Sequence, residues 1–574
     1  MNKHRYTFYF FIFTFIFSYQ SSIFASGNNP VSKIAPKNTS PTHAAVATAH
    51  PLATQAGHDI LKQGGNAFDA AIAVTATLAV VEPYSSGIGG GGFYLLHQAS
   101  NDNYVMIDAR ERAPLNAHRD LYLDENKKVI PGASIKGALS AGIPGIPAAL
   151  VHLAKRYGEL TLSQSLAPAI MHAQQGFPVD KYYRRMAGFR LADLQDNEEA
   201  SDIFLQQGEL PELGYMVIQN DLANTLRQIA KFGNAGFYEN DLAEKMVEDV
   251  RDNGGIWTKE DLLEYVVKQR APNIKVYKGM RLVSASLPSS GGLVLTEILG
   301  ILSELHIEKM TKAQRIHHIV EAMRLAYRDR AEFMGDSDFV EVPVDTLTSE
   351  KYSRLLAATI NPEKATLSSS LKEVAQLTGK GSDTTHFSII DERGNKVSAT
   401  LSINYPFGSC FVAADTGVLL NDEMDDFVSK ADVPNVYGLV GSTANSIEPG
   451  KRMLSSMTPS IVETRDRVAV IGTPGGSRII TMVLLAVLDF YENKDAQEIV
   501  NAGRYHHQYL PDKIIFEPGV FDEDLVKILT GLGHVTKELD DEYGNMHIII
   551  MDKKTGTVEA ASDRRGIGSA VVIP

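Results

Sequence analysis

The chain has 574 residues, 44% of them apolar, and a formal charge of −14. This length and apolar content exclude a disordered chain and predict a globular protein with a large core. The acidic balance argues against a nucleic-acid partner, because phosphate binding needs an excess of Lys and Arg.

Residues 1–25 are typical of a secretory signal peptide, with a retained membrane anchor as the alternative. Lys3 and Arg5 give a basic start, an aromatic-rich apolar run follows over about 6–17, and Ala25 lies among small residues. No other segment has the ~20 uninterrupted apolar residues of a spanning helix. We therefore expect an exported mature chain without a membrane span, in the periplasm or secreted. Without the +2 of Lys3 and Arg5, its charge is −16.

The next residues, 26–44, are polar and lack apolar periodicity, which indicates a flexible leader before a fold that begins at residue 45. Residues 66–81 contain AFDAAIAVTATLAVV, which is apolar on all sides and predicts a buried helix. The glycine run that follows, GIGGGG over 87–92, allows either a phosphate cradle or a close approach of two backbones. A phosphate loop would precede a helix and end in GK[ST], so we favour the close approach.

Farther along, Thr258 and Asp261 predict a helix cap, and 313–334 predicts a long amphipathic helix that contains His317 and His318. Adjacent histidines point about 100° apart on a helix, so they make a poor metal pair, and no cluster elsewhere has convincing ligand spacing. The lone cysteine, Cys410, has no local base to activate it, and we expect it to be packed. Residues 368–380 are polar and predict an exposed segment.

From Thr384 the chain has two β-rich runs, TTHFSIID and NKVSATLSIN, joined by Glu-Arg-Gly. A three-residue loop with Gly394 in the left-handed conformation would make a hairpin that places Thr384 opposite Ser402. Facing residues of two strands have Cβ atoms only ~5 Å apart, so the two hydroxyls would lie within hydrogen-bonding reach.

Nine motifs carry a resemblance to a known family. They are DILKQGGNAFDAAIAV (59–74), GIGGGGF (87–93), IDARERAP (107–114), AGIPG (141–145), DTTHFS (383–388), LLNDEMDDF (419–427), PNVYGLVG (434–441), KRMLSSMTP (451–459) and GTPGGSRII (472–480). In this order and spacing they resemble the γ-glutamyltransferase family of N-terminal nucleophile hydrolases, over about 45–574. The resemblance implies an α+β fold, a four-layer αββα sandwich.

The family cleaves itself into two subunits that stay together, which here implies a large subunit of 45–383 and a small subunit of 384–574. The cut would fall between Asp383 and Thr384, and Thr384 would then be the nucleophile. Its released α-amino group, with a reference pKa near ~8, would act as the base. No Ser-His-Asp set is then needed, and we expect His386 to be structural.

The resemblance also implies roles for the other motif residues. Ser402 would orient the Thr384 hydroxyl, although we expect threonine there in many relatives. Gly475 and Gly476 would form the oxyanion hole. A γ-glutamyl substrate carries an α-carboxylate and an α-ammonium. The implied carboxylate site is Arg110, Ser455 and Ser456, and the implied ammonium site is Asn404, Glu423 and Asp426. The implied lid over the pocket is Tyr437.

The implied reaction transfers the γ-glutamyl group of glutathione, or of a related amide, to water or to an amino-acid or peptide acceptor, without a metal or organic cofactor. Two alternatives remain. One is a relative that deacylates glutaryl or cephalosporin side chains or handles poly-γ-glutamate; Glu423 and Asp426 weigh against a glutaryl substrate, which lacks the ammonium. The other is a binding protein that kept the fold without catalysis.

Overall fold

The computed structural model describes residues 39–371, 384–430 and 433–574. The predicted signal peptide, most of the predicted leader and Asp383 lie outside these residues, as does most of the segment 368–380. The first strand begins at Ala44, and the Thr42 N–H already donates to the Gly556 carbonyl at 2.8 Å. The folded body therefore takes in the last few residues of the predicted leader. No helix of the described residues is long and apolar enough to cross a membrane.

Two antiparallel sheets form the middle of the molecule. In spatial order, the first sheet contains Ser569–Ile573, Ala44–Thr48, Thr385–Ile390, Lys396–Ser402, Gly91–Gln98, Asn103–Asp108 and Lys268–Arg270. The second contains Val558–Ser562, His547–Asp552, Arg467–Gly472, Ser460–Glu463, Met280–Ser284 and Asn273–Tyr277. Both sheets combine strands from before and after residue 384, so the two parts of the chain fold as one interleaved unit.

Helices cover the outer faces of both sheets. Against the first sheet lie Pro51–Lys62, Ala67–Val81, Ile146–Arg156, Leu162–Gln175 and Asn220–Phe232. Against the second lie Gly291–Glu304, Lys312–Phe333, Glu350–Thr359, Ile479–Tyr491, Ala496–Asn501 and Glu523–Gly531. A third apolar cluster, which includes Ala47, Leu95, Val283 and Ile549, fills the space between the sheets. These layers make the predicted αββα sandwich, since each sheet buries one face on the other sheet and one on helices.

Shorter elements complete the described chain. The helices are Lys181–Phe189, Leu191–Gln195, Glu198–Phe204, Ala235–Tyr238, Asp241–Asp252, Lys259–Leu263 and Val344–Leu347. The small strands are Phe177–Pro178, Met216–Val217, Val412–Ala413, Val418–Leu419, Tyr505–His506, Ile514–Phe516 and Thr536–Glu538.

The predicted helix at 66–81 is confirmed as Ala67–Val81, and all of its side chains are buried. It begins with a capping box in which the Asn66 side chain accepts from the Asp69 N–H at 3.0 Å and Asp69 accepts from the Asn66 N–H at 3.0 Å. Asp69, a polar residue inside an apolar pattern, is thus satisfied at the helix start. The cap predicted at Thr258 and Asp261 is also present.

The glycine run at 87–92 serves close packing of backbones, as predicted. A Cβ on Gly89 would lie 2.1 Å from the Leu419 carbonyl oxygen, and one on Gly90 would lie 2.2 Å from the Ser402 carbonyl oxygen. Side chains at these positions would push apart the segments that carry Ser402 and the acidic motif at 419–427. The run therefore brings distant parts of the site together.

The long helix at Lys312–Phe333 differs from its prediction in burial. Its bounds agree within one residue, but the helix is buried around most of its middle, including His317 and His318. It is a core helix under the second sheet, buried on more sides than the predicted amphipathic helix. Its polar side chains are paired inside the protein, and a sequence pattern alone does not distinguish such pairs from an exposed face.

Candidate active site

Thr384 immediately precedes the strand Thr385–Ile390 and faces Ser402 at the end of the next strand. The hairpin has the predicted register: Leu401 pairs with Thr385, the Asp391 N–H donates to the Asn395 carbonyl at 3.1 Å, and Gly394 has φ +86°. The Thr384 hydroxyl lies 3.4 Å from the Ser402 hydroxyl oxygen. Ser402 in turn accepts the Asn404 N–H at 2.7 Å, which fixes its rotamer.

A small pocket opens beside Thr384. Its lining residues come from segments that are far apart in sequence, and segments next to strands of both sheets contribute. They are Arg110, Thr384, Ser402, Asn404, Glu423, Asp426, Tyr437, Leu439, Ser455, Ser456, Met457, Gly476, Ser477 and Ile479.

Arg110 and two carboxylates form the charged wall of this pocket. The Arg110 guanidinium donates to Glu423 and, at 2.5 Å, to Asp426, and its Nε donates to the Met453 carbonyl at 3.2 Å. Glu423 and Asp426 share a face because 423–426 form one turn of 3₁₀ helix. Burial raises the pKa of Glu423 to about 7, while Arg110 opposes that rise.

One carboxylate oxygen of this wall accepts no hydrogen bond from the described residues. Glu423 Oε1 is buried and has no hydrogen-bond partner among the described residues. A buried acceptor without a donor is costly, so a ligand that brings an N–H to this point would be favoured.

Glu111 is a second buried acid beside Arg110 that the sequence analysis did not single out. Its carboxylate lies 3.5 Å from the Arg110 guanidinium, and burial raises its pKa well above the ordinary range of a glutamate. Neither of its oxygens has a hydrogen-bond partner in the described chain. Its position within IDARERAP, next to Arg110, was the available signal.

Gly476 begins a 3₁₀ turn, Gly476–Arg478, that leads into the helix Ile479–Tyr491. It has φ +55°, and a Cβ there would lie 2.6 Å from the Tyr437 ring. The Tyr437 hydroxyl donates to the Asn404 carbonyl at 2.5 Å. Glycine is thus needed for both the left-handed backbone and the close contact with Tyr437.

The two serines of KRMLSSMTP lie on the opposite wall. The Ser455 hydroxyl accepts the Met457 N–H at 3.0 Å, and the Ser456 hydroxyl accepts from the buried guanidinium of Arg330 at 3.2 Å. Since each hydroxyl is already used as an acceptor, its own hydrogen is available for donation.

The structure brings nearly all the predicted site residues together. The six predicted substrate-binding residues, with Thr384, Ser402, Tyr437 and Gly476, line the pocket, whereas Gly475 does not, and Asp383 lies outside the described residues. The sequence analysis missed the apolar lining of Leu439, Met457 and Ile479, and also Ser477, although all four lie inside the quoted motifs.

His386 and Cys410, which the sequence predicts to be structural, are both buried. The His386 Nδ1 lies 2.9 Å from the Thr400 hydroxyl and its Nε2 3.2 Å from the Ser388 hydroxyl, and burial lowers its pKa. Burial raises the pKa of the Cys410 thiol to about 12, so this free cysteine stays protonated and packed.

One buried cluster, His317, Glu321 and His534, offers three ligand atoms within 4.8 Å of one another. Its hydrogen-bonding capacity is largely used inside the protein. The two imidazoles bond to each other at 2.7 Å, and the Glu321 oxygens accept from Arg324 and from the Thr366 N–H, each at 3.2 Å. The adjacent Arg324 cation opposes a metal ion, so we assign this cluster to packing.

Taken together, a hydroxyl at the start of a strand adjoins a pocket with separate cationic, anionic and hydroxyl groups. Such a pocket suits a zwitterionic ligand whose acyl carbon comes to rest against Thr384. No residue of the described pocket forms a metal-ligand cluster.

Comparisons with known proteins agree with this geometry. The family model described as gamma-glutamyltranspeptidase matches residues 53–573. A glutathione hydrolase proenzyme of Pseudomonas sp. (strain A14) is 43% identical over 494 residues, which are 85% of each chain. Another glutathione hydrolase proenzyme, of Escherichia coli (strain K12), is 39% identical over 527 residues, which are 91% of this chain and 90% of that one. The crystal structure of a cephalosporin acylase from Bacillus halodurans matches with a TM-score of 0.80 and 27% identity, over 97% of this chain and 99% of that one.

Proposed function

The chain belongs to the gamma-glutamyltranspeptidase family, and on this premise we propose that it is a self-processing γ-glutamyltransferase and glutathione hydrolase. It acts on glutathione and related γ-glutamyl amides through an ester on Thr384. The observation that carries the proposal is the pocket that joins the Thr384 hydroxyl to Arg110, Glu423 and Asp426.

In the first stage the precursor cleaves itself. The Thr384 hydroxyl attacks the carbonyl carbon of Asp383, the C–N bond breaks, and the nitrogen takes up a proton as the peptide becomes an ester. Water then hydrolyses the ester and leaves the chain up to Asp383 as the large subunit, whose predicted fold is 45–383, and 384–574 as the small subunit. The 3.4 Å contact with Ser402 supports a role of that serine in orienting the attacking hydroxyl.

In the second stage the new α-amino group of Thr384 removes the hydroxyl proton. An α-amino group has a pKa near ~8, so a useful fraction of it is neutral near physiological pH. The oxygen attacks the γ-carbonyl carbon of the substrate, and the negative oxygen that forms is stabilised by N–H groups of Gly475 and Gly476 at the start of the following helix. The amine leaves with the proton, and the acyl group remains on Thr384.

The pocket gives each charge of the substrate a partner. The α-carboxylate binds Arg110, Ser455 and Ser456. The α-ammonium binds Glu423, Asp426 and Asn404, and Glu423 Oε1 supports this because it is a buried acceptor without a partner in the described chain.

Tyr437 closes over the bound γ-glutamyl group as a lid. Water, or the amine of an amino acid or peptide, then attacks the ester and releases glutamate or a new γ-glutamyl compound. We place the enzyme in the periplasm or outside the cell, because residues 1–25 have the pattern of a secretory signal.

A denaturing gel with N-terminal sequencing tests this proposal, together with turnover of γ-glutamyl-p-nitroanilide. We expect the wild type to give a fragment that begins Thr-Thr-His-Phe and to release the anilide, and Thr384→Ala to do neither. Thr385→Ala is the matched control, since its buried hydroxyl has no partner among the described residues, and it should still cleave. Cleavage without turnover of the γ-glutamyl anilide would favour an acylase like the Bacillus halodurans relative. A wild type that never cleaves would contradict the mechanism.

A further inference from the structure

A second arginine, outside the sequence motifs, lies behind the wall of this pocket and donates to Ser456. Arg110, the motif arginine, is already matched, because it donates to both Glu423 and Asp426. Its charge is therefore more than balanced before any substrate binds. A carboxylate that enters this pocket would be stabilised by a further source of positive potential.

Arg330 is that source. It lies on the helix Lys312–Phe333, is only 5% exposed, and donates through Nε to the Ser290 hydroxyl at 2.9 Å and through Nη2 to the Ser456 hydroxyl at 3.2 Å. No carboxylate of the described residues lies within salt-bridge distance of it. A buried arginine bonded only to neutral hydroxyls is unusual, because an uncompensated buried cation is expensive.

Arg330 keeps its positive charge although it is buried. Burial lowers its pKa, with Arg110 acting in the same direction and Asp426 opposing. An arginine side chain nevertheless stays protonated in proteins. The protein thus retains a cation without a salt bridge to any described residue, directly behind the wall that carries Ser456.

The contact with Arg330 also sets the direction of the Ser456 hydroxyl. A guanidinium has five donors and no acceptor, so Ser456 must accept from Arg330 and cannot donate to it. The single hydrogen of that hydroxyl is left for another acceptor, and Ser456 lines the pocket beside Thr384. The serine therefore presents a donor that the cation behind it polarises.

We propose that Arg330 is a positioning residue for substrate recognition, which orients and polarises Ser456 so that the serine binds the α-carboxylate of the γ-glutamyl group. This inference rests on the proposed function. It adds a residue outside the nine motifs, from the helix that the sequence pattern predicts to be amphipathic. The ligand class it selects is an acyl donor with a carboxylate on the carbon that bears the amine.

A double-mutant cycle tests the proposal, with Arg330→Met, Ser456→Ala and the double variant assayed on γ-glutamyl-p-nitroanilide. We expect each single variant to raise KM about 10- to 100-fold, the effect of losing one hydrogen bond to a charged group, and to lower kcat by less than about three-fold. The double variant should lose much less than the product of the two single losses, because both changes remove the same interaction. Arg330→Lys, which keeps the charge, should recover part of the loss.

Arg315→Met is the matched control, since Arg315 lies on the same helix and pairs with Glu492 at 2.5 Å on a partly exposed surface. It should leave KM unchanged. Gel analysis shows whether each variant has cleaved itself. If Arg330→Met does not cleave, Arg330→Gln takes its place in the cycle.

Losses that multiply in the double variant would overturn the proposal, as would an Arg330 effect on kcat alone or a KM change under two-fold. Wild-type turnover tests the proposed function separately, so a failure of one is distinguishable from a failure of the other.

Discussion

Replacing Gly476 with alanine tests whether the contact between this turn and Tyr437 matters for catalysis. The new Cβ would lie 2.6 Å from the Tyr437 ring, well inside van der Waals contact, and the backbone there has φ +55°. The left-handed conformation costs about 1–2 kcal/mol for a residue with a Cβ. Displacement of the ring would also break the 2.5 Å bond from the Tyr437 hydroxyl to the Asn404 carbonyl, which is worth about 1 kcal/mol.

We therefore expect Gly476→Ala to lower the free energy of unfolding by about 2–3 kcal/mol. It should lower kcat/KM for γ-glutamyl-p-nitroanilide by about 10²- to 10³-fold, the loss expected when one oxyanion donor is misplaced. Gly519→Ala is the control for strain alone, because Gly519 has φ +73° and open space where its Cβ would lie. That variant should lose about 1–2 kcal/mol of stability and keep its activity. Chemical unfolding and anilide release measure both quantities, and a Gly476→Ala enzyme with activity within two-fold of wild type would refute the reasoning.

Three further predictions concern pH and packing. Because burial raises the pKa of Glu423 to about 7, KM for γ-glutamyl anilide should rise several-fold when the pH falls from about 8 to about 6. Glu423→Gln should remove that dependence, and a wild-type KM that does not change with pH would contradict the ammonium site. Since the folded state keeps a proton on Glu111 that the unfolded chain releases, stability should fall as pH rises above about 4.3, by up to about 1.4 kcal/mol per pH unit. Glu111→Gln should flatten this slope in urea unfolding, and an unchanged slope would show that Glu111 is ionised. Leu295→Ala, fully buried, should cost about 2–5 kcal/mol in the same assay, whereas Leu355→Ala, 61% exposed, should cost under about 0.5 kcal/mol.

The hairpin shows how much of the site local sequence rules predict. Alternating apolar residues and a glycine in the turn determine the register, and the register places Thr384 opposite Ser402. The same holds for the helix Ala67–Val81, whose composition predicts burial on every side. Both features depend on residues that are near one another in the chain.

Features that depend on distant residues were not predictable in the same way. The arginine behind Ser456 is 126 positions away from it, and nothing in the local pattern of Arg330 indicates that contact. The helix that carries Arg330 has many polar residues, which favours an exposed face in a sequence interpretation. In the folded chain these polar groups bond mostly to other segments inside the protein, as His317 does to His534 and Arg330 to Ser456, and the middle of the helix is buried.

The ion pairs of the pocket also bear on how substrate binds. Arg110 is bonded to Glu423 and Asp426, so a zwitterionic γ-glutamyl group must exchange these internal bonds for its own. In the proposed binding mode every charge stays paired, because the substrate ammonium replaces the guanidinium beside the acids while the substrate carboxylate meets Arg110 and the serines. A glutaryl group brings only the carboxylate and would leave Glu423 and Asp426 buried without a cation. The loss of such a partner costs several kcal/mol in a buried site, so the pocket selects for the amine as well as the acid.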